Sequence, residues 1–209
     1  MKFNIESPFF EFMHTLTTFI GLNVLFLIFC LPIITIGPAL KALYTVTMQE
    51  ARKEHKAVFS TFFKAFKENF VSSIGTFLLY LGLSLIFLFN AFFWGGQDSI
   101  VGTLCLTLFL LALIILAISF LYTFPLMARF DNGVKQTIKN SIFLALLHSK
   151  ETLGIIGIQI AALTLCMFVP QMKVFMLLLG FSFIALCNSY LFIRVFSCYE
   201  EKQTGISAM

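Results

Sequence analysis

Charge is what this chain has least of. Asp, Glu, Lys and Arg make up only 11% of its 209 residues, against about 25% in an ordinary soluble domain. Surface solvation needs more than that, so a soluble domain of any size is excluded. None of the ionisable residues falls in the middle of a long apolar run. Such residues are expensive inside a membrane and mark proton relays and intramembrane catalysis, so the pattern speaks against a proton-coupled pump and against a membrane enzyme. His14, His55 and His148 stand alone, without HExxH or a second histidine at helical spacing. There is no GxSxG elbow, no GxxxxGK[ST] loop and no paired mid-span Asp. No catalytic, cofactor or metal residue is therefore expected. The five cysteines, Cys30, Cys105, Cys166, Cys187 and Cys198, lack paired spacing and read as free thiols in or beside apolar segments. Nothing in the pattern points to nucleic acid.

What the chain has instead is hydrophobic length. Hydrophobic residues make up 59% of it, and 28 residues are Phe. A spanning helix needs about 20 apolar residues, and five runs, uncharged but for Arg194 near the end of the last, meet this, roughly 15–36, 71–94, 100–128, 152–171 and 174–197. The expectation is an all-α polytopic bundle in a single membrane domain, 1–209, with cytoplasmic amphipathic segments at 37–70 and 129–151. "WGGQDS" and "PQMK" read as tight turns between antiparallel spans. The third run is longer than a bilayer is thick, and Pro125 is expected to disrupt it where Arg129 must reach headgroups.

All basic residues but Lys2 and Lys173 fall in the loops after spans one and three or at the C-terminal end. Lys and Arg stay on the cytoplasmic side, which predicts a multi-pass membrane protein with N-terminus outside and C-terminus inside. Pro32 is then expected to bend the cytoplasmic end of span one, Gly37 to end it, and Pro38 to open a new helix that leaves the bilayer. In "VFSTFFKAFKENF", Phe59, Phe62, Phe63, Phe66 and Phe70 form one helical stripe and Lys56, Lys64 and Lys67 another. Residues 129–151 repeat the idea, with Phe130, Val134, Ile138, Ile142 and Ala145 opposite Lys135 and Lys139. Both segments suit contact with lipid headgroups or with a partner protein. Asn23, Asn90, Gln159 and Asn188 are polar within spans and are candidates for interhelical hydrogen bonds or a shared polar pocket.

"LPIITIGPALKALYTV", then "FFKAFKENF", then "YTFPLMARFDN", in this order among five spans, resembles the YesL-like family of small bacterial membrane proteins, a domain family of unknown function. Pro32, Gly37, Pro38, Tyr44, Phe66, Phe70, Pro125, Arg129 and Phe130 match its recurring positions. Lys41 departs from the pattern, which has a small polar residue there more often. The resemblance implies an accessory or regulatory role in carbohydrate uptake beside a sugar transporter. A small permease and a membrane enzyme of lipid or glycan metabolism are the alternatives.

Overall fold

The computed structural model describes residues 8–54 and 56–206, and among them every regular element is helical. Helix α1 (Pro8–Cys30) stops where Leu31 precedes Pro32, because the residue before a proline is pushed out of the α region. The helix expected over 15–36 thus ends at Cys30. The hydroxyl of Thr35 donates to the carbonyls of Phe29 (2.6 Å) and Pro32 (2.7 Å), closing the helix end through a 3-10 turn, Ile33–Thr35.

Helix α2 (Ile36–Ala51) follows. Pro38 is its third residue, still within the first turn, where the missing N–H has no intrahelical partner to lose. Gly37 does not end the preceding helix, as expected from sequence; it belongs to the same first turn. A Cβ there would stand 2.5 Å from the Ser73 carbonyl and 2.8 Å from Phe77 Cβ, so only glycine lets α2 lie this close to the next long helix. Rather than standing apart, α2 is the axis of the bundle: Ala39, Ala42, Leu43, Val46 and Met48 are all buried.

Around α2 are packed α1, α3 (Val58–Lys67), α4 (Phe70–Gly95), α5 (Ile100–Arg129) and α9 (Phe181–Ile206). Helix α6 (Val134–Leu147) lies on α5. Helix α7 (Ser149–Phe168) leads through Pro170 to α8 (Gln171–Phe175), which passes by a π turn, Met176–Gly180, into α9. Among the described residues, four helices are long and apolar enough to cross a membrane: Phe70–Gly95, Ile100–Arg129, Ser149–Phe168 and Gln171–Ser197. Thr15–Cys30 is a shorter apolar helix.

Three local expectations change. Helix α5 runs unbroken through Pro125 to Arg129, since one missing N–H near a C-terminal end does not stop a helix whose neighbours bury Tyr122, Phe124 and Leu126. The Phe stripe of α3 divides: Phe62 is fully buried, and Phe66 meets Phe29 with ring centroids 4.5 Å apart, whereas Phe59 and Phe63 stay exposed. On α6 the buried face is Thr137, Ser141, Leu144 and Ala145; Val134, Ile138 and Ile142 are only half-buried.

The packed core sits at one end, where α4 and α7 begin and α5 and α9 finish. The far halves of α4 and α5 present Leu85, Phe89, Phe92, Leu104 and Leu108 outward.

Candidate functional site

At the core end, helix α2 and two turns meet around a polar pocket of about 450 Å³. Lys41 enters from α2. Glu68 and Asn69 come from the turn between α3 and α4, where Asn69 takes a left-handed φ of 54°, a conformation asparagine tolerates better than most residues. Phe130, Asp131, Asn132 and Gly133 come from the turn after α5, and Ser72 and Met127 complete the lining.

Lys41 is 3% exposed. Its ammonium donates to the backbone carbonyl of Glu68 at 2.9 Å, and the Glu68 carboxylate stands 4.0 Å away. Burial pulls the Lys41 pKa down, while the Glu68 and Asp131 carboxylates push it back up. The Asn69 amide reaches Asp131 Oδ1 at 3.5 Å. Outside the pocket, Glu54 holds Arg52 at 3.3 Å and Lys56 at 2.8 Å.

Behind the pocket, hydroxyls stitch the helices together. Tyr80 of α4 bonds Ser119 and Thr123 of α5, and Ser119 in turn bonds Ser141 of α6 at 2.7 Å. Tyr122 bonds Thr152 of α7 at 2.7 Å, and Thr47 bonds Ser189 of α9 at 2.8 Å. These groups are satisfied by one another and by backbone carbonyls such as those of Leu43, Ile138, Ala145 and Ala185, and hold the packing in place.

The polar residues singled out from the sequence do not form one pocket. Asn23 is buried against the π turn, where its amide donates to the Leu177 carbonyl at 2.8 Å and accepts from the Ser182 N–H at 3.0 Å. Asn188 is buried beside Tyr44 at 3.5 Å, and its Oδ1 has no hydrogen-bond partner. Asn90 bonds the Ile86 carbonyl of its own helix. Gln159 of α7 lines two apolar grooves, one of about 630 Å³ shared with α4 and α5 and one of about 420 Å³ shared with α1, α2, α5 and α9. Lys56, Lys64, Lys67, Lys135 and Lys139 are exposed. Of the motif positions, Gly37, Pro38, Tyr44 and Pro125 are buried, Phe66, Phe70 and Phe130 half-buried, and Pro32 and Arg129 exposed; Phe130 packs edge-on to Phe196.

Lys41, Glu68, Asn69, Asp131 and Asn132 were not singled out as a site, although a signal was present. Each lies inside one of the three quoted segments, and the fold brings those segments together here. Among the described residues, no group of three or more His, Cys, Asp or Glu could hold a metal ion.

Fold and pocket together define an all-α bundle with membrane-spanning character and a polar site at one end. A profile of the family described as "Protein of unknown function, DUF624" matches residues 19–91, which run from α1 through α2 and α3 to most of α4. The chain is also 27% identical over 186 residues to the uncharacterized protein YesL of Bacillus subtilis (strain 168), covering 87% of this chain and 86% of that protein. No solved structure matches. Both similarities agree with the YesL-like resemblance carried by the three quoted segments.

Proposed function

We propose that this protein is a non-catalytic accessory or regulatory subunit of a bacterial membrane assembly. In this reading its pocket end and C-terminus face the cytoplasm, its N-terminus lies outside, and it works beside a sugar transporter in carbohydrate uptake. The carbohydrate setting rests on the family resemblance. The observation that supports an accessory role is the distribution of polar groups: the polar pocket and the exposed Lys64, Lys67, Lys135 and Lys139 gather at one end. The two grooves beside Gln159 are apolar, and a solute path would need a polar lining. Exposed lysines at that end suit anionic headgroups or an acidic partner surface.

Affinity purification from membranes after in-cell crosslinking tests this. Lys64→Gln, Lys67→Gln and Lys135→Gln together should abolish recovery of transporter subunits while insertion and helicity are kept. Unchanged recovery, or no transporter subunit with the wild-type chain, overturns the reading. A small permease is the second reading, favoured by Gln159, a polar residue in the lining of both grooves.

A further inference from the structure

The pocket at the core end holds a charge that packing alone does not call for. A buried ammonium carries a large desolvation penalty unless it is well paired, and Lys41 has three N–H donors. The Glu68 carbonyl takes one at 2.9 Å, and the Glu68 carboxylate, at 4.0 Å, lies outside hydrogen-bond reach. Donor capacity is left for whatever fills the cavity that Lys41 lines.

The other lining groups narrow the choice. Glu68 and Asp131 bring carboxylates, Asn69 and Asn132 amides, Ser72 a hydroxyl, and Phe130 with Met127 an apolar wall. An anion would meet two carboxylates, and a cation would meet the Lys41 ammonium. A hydroxyl group suits both, because it donates to a carboxylate and accepts from an ammonium. A volume of about 450 Å³ falls within the usual range for small-molecule sites, about 300–1,000 Å³.

The geometry points to a cytoplasmic binding site for a small uncharged polyhydroxylated solute, a polyol or carbohydrate, held by Lys41, Glu68, Asp131 and Asn132 with a C–H face against Phe130. This deepens the accessory reading and rests on it for the compartment. The ligand would touch α2, the α3–α4 turn and the α5–α6 turn at once. Its binding would therefore fix the helices that carry Lys64, Lys67 and Lys135, and solute level would govern docking.

Titration calorimetry on the purified full-length chain in nanodiscs tests the site, with sorbitol, glucose and maltose as neutral probes, inorganic phosphate as the anion and arginine as the cation. Saturable one-to-one binding of a neutral probe at up to about 10 mM, where a millimolar site is mostly filled, is expected. Lys41→Met and Asp131→Asn should each weaken it at least tenfold with unchanged helicity. Should Lys41→Met fail to fold, the exposed Asp131→Asn carries the test alone. Absence of neutral binding, binding indifferent to both substitutions, or phosphate or arginine binding that both abolish would overturn the site. The crosslinking experiment is separate: solute binding without transporter recovery counts against the accessory role, and recovery without binding counts against the site.

Discussion

Asn23 of α1 accepts the backbone N–H of Ser182 at 3.0 Å across the bundle. The same side chain donates to the Leu177 carbonyl at 2.8 Å, so one asparagine serves both a donor and an acceptor at the π turn, which lacks the regular α ladder. The Ser182 hydroxyl answers by donating to the Phe19 carbonyl at 3.1 Å. Asn23→Leu keeps the volume but strands two buried backbone groups, each costing about 1–3 kcal/mol. Thermal unfolding in detergent should shift down by several degrees, whereas Asn90→Leu, on a residue bonded only within its own helix, should leave it unchanged. Equal shifts would deny the clasp.

Gly37 and Gly75 make a matched pair. A methyl group at Gly37 meets the Ser73 carbonyl and Phe77, while nothing stands within 4 Å of one at Gly75. Gly37→Ala should destabilise by about 1–3 kcal/mol through overpacking, and Gly75→Ala should be neutral or stabilising by up to about 1 kcal/mol. Denaturation of the two variants side by side checks this.

Lys41 should hold its place at a cost to stability. Lys41→Met removes a buried charge and keeps its apolar stem, so the variant should unfold at the same or a higher temperature. The sign with pH follows from the lowered pKa. The unfolded chain keeps its Lys41 proton up to about 10.4, and the folded chain releases it earlier. Wild-type stability should therefore rise with pH across the interval below about 10.4, after the penalty has been fully present at lower pH. The Lys41→Met chain should lack that rise. A variant less stable than wild type, with the pH dependence intact, would mean that Lys41 serves the fold.

Much of this was legible in the chain itself. Long uncharged runs located α4, α5, α7 and α9, because hydrophobic length is a strong signal that survives any packing arrangement. Pro32 and Pro38 gave the break between α1 and α2 for the same local reason. The place of α2 at the bundle axis was not legible: "ALKALYTVTMQEARKEH" grows polar along its length and reads as a helix leaving the core, yet Lys41, Thr47 and Tyr44 are covered by α3, α5 and α9. The α6 face was misread because Thr137 and Ser141 go inward, their hydroxyls satisfied by the Gly133 and Ile138 carbonyls, so hydrophobicity did not mark the buried side. The pocket was missed since its residues are distant in sequence and polar, and only the fold joins them.

The proposed topology is argued from the basic residues at the pocket end. Single cysteines at Gln97 and at Asn132, on a background without native cysteines, should differ in access. Gln97 should react with an impermeant maleimide on intact cells, and Asn132 only after permeabilisation. The reverse pattern would put the pocket outside the cell.

Solute flux through the purified protein bears most directly on whether it acts alone or through a partner. Liposomes containing only this chain, loaded in either orientation and given radiolabelled glucose or maltose, should show no uptake above empty liposomes. Uptake that saturates and is lost in Gln159→Leu would contradict the accessory role and make the protein a permease.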